Sequence, residues 1–274
     1  MPAENETWLT PNASTVDIDA ALATWRRDGF VHLPGIISER GLRALRTRCD
    51  DLMFGRIDHS PFFFQGDAAS GLYSDMPLGL GWTGPSAAYR KLEKLERDPV
   101  FFDFMCNDFF RRIATRAIPD ADIVSYRAIL MNKRAGSPDA PGGTDLPWHQ
   151  DGGRLWGLDR DPEFQVWTAI DDAPLDAGCM VFARGTHHAG LATPLGGAVP
   201  AEIVEREKDC LDLVPVPAKA GDVVILHTMV WHTSGLNTTA HPRRAFSTCL
   251  MPATTRCVRK KKAPRTFPLV FQRT

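Results

Sequence analysis

Residues 220–247 read AGDVVILHTMVWHTSGLNTTAHPRRAFS. Val223 to Leu226 make a short apolar run bounded by Gly221-Asp222 and Thr228, the pattern of a buried strand. After His232 the segment turns through Ser234-Gly235-Leu236-Asn237 and returns in RAFSTCLM (244–251), which reads as an antiparallel neighbour. On that reading Arg243 comes back beside the strand that carries His232. The same texture extends upstream in IVSYRAILMNK (123–133), LPWHQD (146–151), FQVWTAID (164–171), GCMVFAR (178–184) and LDLVPV (211–216). GSPDAPGGTD, LDRDP and APLDAG separate these runs, and strands in that rhythm predict a sandwich or barrel.

The first 120 residues have a helical period instead. DIDAALATWRR (17–27) ends at Asp28-Gly29, where glycine can take a left-handed cap, and FVHLPG then reads as a short strand. Ser38 and Glu39 open a helix in which Leu42, Leu45, Cys49 and Leu52 recur every three or four residues. A further helix is expected over about 86–96, and Asp98-Pro99 begins an aromatic-rich one with Phe101, Phe102, Met105, Phe109 and Ile113. Residues 61–85, rich in Gly, Pro and aromatics, read as a long functional loop. With 136–146 it is where a lid is expected. The expected fold is mainly β with N-terminal helices. In a single domain spanning 1–274, a helical part (about 1–120) packs on a double-stranded β-helix, a jelly-roll or cupin-like barrel (about 121–255), with an extension over 256–274.

Composition narrows the function. A net charge of −1 gives no overall electrostatic reason to bind nucleic acid or an anionic membrane. The local basic patch of Lys260 to Lys262 with Arg256 and Arg259 reads as a solvated segment. No apolar run approaches the roughly 18 residues of a membrane span, and no signal peptide is apparent. The six cysteines show no CxxC, so neither a zinc ribbon nor a disulfide framework is indicated, and a cytoplasmic protein with reduced thiols is expected.

The chemistry starts at PWHQD (147–151). On a strand His149 and Asp151, at i and i+2, project from one face and can reach one point. His232 is the best third ligand. Two imidazoles and one carboxylate form a facial triad that leaves positions open on iron(II), as an oxygenase requires. Arg243, eleven residues beyond His232, can pair its planar fork with the far carboxylate of a five-carbon dicarboxylate, with Ser234 adding a hydroxyl. His227 competes with His232; five residues apart on one regular strand, the two would face opposite ways. His187 and His188 read as turn-closing residues, Arg244 as salt-bridged, and Arg127, Arg154 and Trp156 as mouth or surface residues.

Taken together, PWHQD, FQVWTAID, AGCMVFARGTH, the opening stretch and the entry segment WRRDGFVHLPGII resemble the phytanoyl-CoA dioxygenase family of iron(II)/2-oxoglutarate oxygenases over roughly residues 20–255. The resemblance implies Fe(II) held by His149, Asp151 and His232, with 2-oxoglutarate and O2 as co-substrates and succinate and CO2 released. It places Arg243 and Ser234 on the distal carboxylate, Trp167 and Ile129 in the co-substrate wall, and Lys91 near 2-oxoglutarate. Related halogenases replace the carboxylate ligand by a small residue, so Asp151 argues for hydroxylation of a small molecule. The same oxidant can instead desaturate, epimerise, demethylate or cyclise. A zinc hydrolase would have no need of Arg243, and a catalytically inactive binding or sensor protein is the reading from another class. Phe62, Phe63, Phe64, Tyr73 and Trp82 would suit a partly apolar substrate such as a biosynthetic intermediate.

Overall fold

The computed structural model describes residues 8–77, 81–259 and 265–273; the Lys260–Lys262 patch lies outside them. After a short α1 (Asn12–Thr15), α2 (Ile18–Asp28) is capped by the Asp17 side chain and closed by Gly29 in the left-handed region at φ 86°, as its sequence predicts. β1 (Phe30–Leu33) follows, then α3 (Glu39–Met53), capped by Ser38 and burying the Leu42, Leu45, Cys49 and Leu52 stripe.

The stretch read as a loop contains β2 (Phe63–Gly66), and the stretch read as a helix over 86–96 is β3 (Tyr89–Glu93) followed by a tight turn at Leu95–Arg97. Its residues are good helix formers, but pairing of Lys91, Leu92 and Glu93 with Met131, Leu130 and Ile129 overrides local propensity. The single aromatic helix is two, α4 (Pro99–Met105) and α5 (Asp108–Ala117). Asn107 between them caps α5 by accepting from the Phe110 amide at 2.9 Å.

The strand-rich half comprises β4 (Ile123–Lys133), β5 (Leu146–Gln150), β6 (Phe164–Ala169), β7 (Met180–Ala183), β8 (Gly197–Ala198), α6 (Ala201–Glu207), β9 (Leu213–Val216), β10 (Val223–His227), β11 (Trp231–Ser234), β12 (Arg243–Pro252) and β13 (Leu269–Phe271). They form two antiparallel sheets. The larger runs β1-β10-β6-β12-β4-β3-β2, with β13 also on β4; the smaller runs β8-β5-β11-β7-β9. This is the expected double-stranded β-helix with helices on one side. Its connectivity differs from the hairpin read in the sequence, because Thr228–Val230 turn the chain from β10 in the larger sheet to β11 in the smaller, and residues 235–242 carry it back to β12.

Strand alternation then divides the core. One face of the larger sheet, with Leu92, Leu130, Phe246 and Ile225, packs on the helices. Phe246 lies 5.1 Å from Phe101 and 5.5 Å from Phe104 between ring centroids, so Phe246→Ala is worth about 3–5 kcal/mol of lost stability. The other face, with Trp167, Val224 and Ala245, packs against Phe182, Met180 and Val216 of the smaller sheet. The candidate chemistry lies at the open end of this second layer.

Candidate metal centre

β5 and β11 are neighbours, and His149 and His232 stand directly opposite each other in their register. Directly paired residues project from the same face, and the two rings have centroids 3.9 Å apart. Asp151 lies just past the end of β5, where its amide donates to the Thr228 carbonyl at 2.6 Å and fastens the strand end to the β10–β11 turn. The ligand atoms of His149, Asp151 and His232 all lie within 4.8 Å of one another.

Each imidazole is oriented by its own backbone. The Nδ1 atoms sit 2.9 Å from Pro147 O and 3.0 Å from Val230 O, which assigns the proton to Nδ1 and leaves the Nε2 lone pair for the site. Burial is the main reason both rings resist protonation, and it pulls His149 down to about 3. They are therefore neutral near pH 7, as metal ligands must be. For Asp151 burial acts to raise the pKa, but Arg127 and then the two histidines outweigh it, and the carboxyl is held well below its usual range. Both its oxygens accept hydrogen bonds, Oδ1 from Arg127 Nη2 at 2.8 Å and Oδ2 from Gln165 Nε2 at 2.9 Å. Two neutral imidazoles and one carboxylate facing a cavity fit a facial iron(II) site.

Across the cavity, Arg243 is 3% exposed. Its Nη2 donates to the Gly178 carbonyl, while Nε has no partner, and among the described residues no carboxylate lies within ion-pair distance. Burial lowers its pKa to about 10, which leaves it charged near pH 7. The carbonyl that receives it depends on a glycine: Gly178 has φ 69°, and a Cβ there would lie 2.3 Å from Gly235 O. Trp167 Nε1 is also buried without a partner, and Arg243 Cζ lies 5.9 Å from the Trp167 ring. A lone buried guanidinium is costly by several kcal/mol unless an anion meets it. These orphaned donors are what a bound dicarboxylate would satisfy.

Ile129, Ser247 and Trp167 form one cross-strand row of β4, β12 and β6, and Ser234 on β11 faces them from the other sheet with His232. Lys91 on β3 reaches Glu93 Oε1 at 2.6 Å. All eight residues singled out in the sequence, His149, Asp151, His232, Arg243, Ser234, Trp167, Ile129 and Lys91, line one cavity of about 170 Å³. Arg243 does not lie beside the strand of His232; it belongs to the opposite sheet and faces that strand across the cavity.

Other expectations resolve differently. His227 ends β10 in the larger sheet, accepts from the Met229 amide at 3.1 Å and packs beside Trp25 and His187. It and His232 occupy different strands of different sheets, so the one-strand parity argument does not apply. His187 and His188 bond the Arg26 and Arg27 carbonyls at the end of α2, each at 3.0 Å, and Arg244 pairs with Asp171 and Asp50. Arg154 is exposed, whereas Arg127 is turned inward between Asp151 and the Trp156 ring, 4.5 Å from its centroid. Arg127 and Gln165 are the residues sequence reasoning undervalued as a pair. The signal was parity: each lies two residues before an inward residue, Ile129 and Trp167.

Of the loop aromatics only Tyr73 lines the cavity; Phe64 is fully buried against Trp82 and Tyr89 on the helix side. The two expected lid segments are joined, since Asp145 Oδ1 accepts from the Tyr73 amide at 2.7 Å and the Asp145 amide donates to Gly71 O at 2.8 Å.

The family model described as phytanoyl-CoA dioxygenase matches residues 25–245. The chain belongs to this family of iron(II)/2-oxoglutarate oxygenases. Phytanoyl-CoA dioxygenase domain-containing protein 1 of Danio rerio is 34% identical over 116 residues, 40% of this chain and 40% of that protein. The similarity thus spans two-fifths of the length of that relative. The methylphosphonate hydroxylase of Gimesia maris is 24% identical over 236 residues, 85% of this chain and 80% of that protein. Among solved structures, the epimerase SnoN in complex with Fe3+, alpha ketoglutarate and nogalamycin RO superposes with a TM-score of 0.71 at 19% identity, covering 92% of this chain and 98% of that one. At that identity the likeness bears on the fold. Among the described residues, no helix is long and apolar enough to cross a membrane.

Proposed function

We propose that this family member is an iron(II)- and 2-oxoglutarate-dependent dioxygenase that hydroxylates an unactivated C–H bond of a small molecule, a biosynthetic intermediate by preference. His149, Asp151 and His232 are the ligands that would hold the iron. Bound there, iron(II) supplies a centre that chelates the keto acid and activates dioxygen, with succinate and CO2 as by-products. The observation that carries the reading is Arg243, a buried guanidinium without a counter-charge, facing the triad across one cavity. Its fork and the Ser234 hydroxyl bind the distal carboxylate, while Trp167 and Ile129 wall the co-substrate and Lys91 lies at its edge.

The protein's own share of the reaction is positional. The Nδ1 contacts fix the imidazoles, Arg127 and Gln165 fix Asp151, and the Trp167 side of the barrel excludes water. Relatives of this fold include an epimerase and a carbocyclase, so other outcomes of hydrogen abstraction share the same donor set. A cytoplasmic location agrees with the six free thiols.

Anaerobic titration of the iron(II)-loaded protein with 2-oxoglutarate tests the assignment. A weak visible charge-transfer band that grows with 2-oxoglutarate and is lost in His232→Ala supports it. Correctly folded, iron-loaded protein without the band rejects it, and leaves a zinc-type or binding role.

A further inference from the structure

The mouth of the cavity carries charge that neither the metal nor the co-substrate uses. β2 and β3 pair Gln65 with Lys91 but Gly66 with Tyr89, so Arg90 is the extra residue of a β-bulge. Neighbouring residues on a regular strand face opposite ways, yet Arg90 and Lys91 both line the cavity. Beside the bulge, Asn132 Nδ2 donates to Ala87 O at 3.0 Å and to Tyr89 O at 2.9 Å.

Among the cavity's basic residues, Lys91 is matched by Glu93, Arg127 by Asp151, and Arg243 by the acid end of 2-oxoglutarate on the reading above. Arg90 makes no direct ion pair among the described residues. Its Nη1 donates to the neutral Gln65 Oε1 at 2.9 Å, its Cζ lies 5.6 Å from the Tyr73 ring centroid, and among the described residues no carboxylate is within 4.0 Å. Asp67, from the adjoining segment, accepts from Thr144 through Oδ1 at 3.0 Å; its Oδ2 lies 3.9 Å from Arg134 without a hydrogen bond, and Asp67 and Glu93 act on Arg90 through space from beyond ion-pair distance. Half-buried and desolvated, the guanidinium retains donors free to meet a ligand.

We propose that Arg90 is a specificity-determining residue that anchors an anionic group of the substrate, a carboxylate or a phosphonate, at the cavity mouth. The substrate is then a small acid, its charged end on Arg90 and its reacting carbon directed toward the His149–Asp151–His232 centre. This rests on the oxygenase reading, and deepens it by naming the substrate class. Planar and tetrahedral oxyanions share the chemistry that a guanidinium fork recognises.

The test uses protein loaded anaerobically with iron(II) and 2-oxoglutarate, titrated calorimetrically with butyrate, propylphosphonate and neutral butyramide while the charge-transfer band is monitored. One or both acids should bind at least about tenfold more tightly than butyramide, the scale of one charge-assisted hydrogen bond. Whichever acid binds better assigns the head group. Arg90→Gln should abolish the preference and Arg90→Lys should restore part of it, with the 2-oxoglutarate band forming in both as the check on folding. Equal binding of acid and amide, a preference that survives Arg90→Gln, or no acid binding up to solubility overturns the proposal. Failure of the band to form with 2-oxoglutarate alone instead overturns the oxygenase reading, which separates the two.

Discussion

Arg127 Nη2 lies 2.8 Å from Asp151 Oδ1, and this ion pair joins the larger sheet to the smaller one at the candidate metal centre. Because Gln165 holds the other oxygen at 2.9 Å, the carboxylate arrives with its orientation set from both sides. Residues that orient a ligand in this way commonly change metal affinity by 10- to 100-fold. Arg127→Met is expected to weaken iron(II) binding by about that factor while 2-oxoglutarate still depends on Arg243. Metal titration followed by calorimetry checks this, and unchanged iron affinity would make the pair a purely structural link between sheets.

Arg243 gives a prediction in two opposed directions. Loss of its charge-assisted bonds in Arg243→Met should raise the 2-oxoglutarate concentration needed for half-saturation by about 10- to 100-fold. The same change removes a buried charge that has no acidic partner, so the ligand-free protein should become more stable by about 1–3 kcal/mol. Thermal melts without ligand, beside 2-oxoglutarate titrations, read both effects. A variant that is both weaker in binding and less stable would place the guanidinium in the structural framework.

How the two halves of this site were legible follows from the kind of signal each residue leaves. His149 and Asp151, on β5 and just past its end, follow a local alternation that predicts one face, and the cavity gathers them with His232, while Arg243 reaches the same cavity from the opposite sheet. Sheet membership is not local. Apolar Val223–Leu226 and Trp231–Ser234 look like one strand followed by a turn, and only pairing with β6 on one side and β5 and β7 on the other separates them. That is why His227 was a competitor in the sequence and is remote in the fold. Lys91 was found by resemblance, although its expected helix is a strand; KLEKLERD carries helix propensity that pairing with β4 on one side and β2 on the other overrides. Arg90 left no sequence signal, because a bulge that re-aims one residue is invisible until the register is known.

His227 supplies a pH dependence. Burial, with smaller contributions from His187 and His188, pulls its pKa from 6.5 to about 4. The unfolded chain therefore takes up a proton below 6.5 that the folded chain refuses until about 4, so stability falls as pH falls through this window. The full effect is about 2–3 kcal/mol as an upper bound, since the ring is only partly buried. In metal-free protein His149 and His232 act with the same sign. Urea unfolding between pH 4 and 6.5 should show a shallower slope for His227→Gln than for the unmodified protein, and an identical slope would mean the ring protonates freely in the fold.

The link between Tyr73 and Asp145 bears on access to the cavity. Two hydrogen bonds join residues 71–73 to Asp145, and one of them uses the Asp145 side chain. Tyr73 lines the cavity and lies beside Arg90, so opening this junction withdraws one wall of the mouth while the metal ligands, on strands behind it, stay in place. The side-chain bond is exposed, which limits its worth to about 0.5–1.5 kcal/mol, or roughly a two- to tenfold change in local opening. Asp145→Ala is expected to speed hydrogen exchange of the amides around Tyr73 by that factor and to raise the substrate KM more than it lowers kcat. Asp145→Asn keeps an acceptor oxygen at the same position and should recover most of the protection. Exchange around Tyr73 that is unchanged in Asp145→Ala would show that the remaining Asp145 N–H to Gly71 O bond and local packing hold the mouth by themselves.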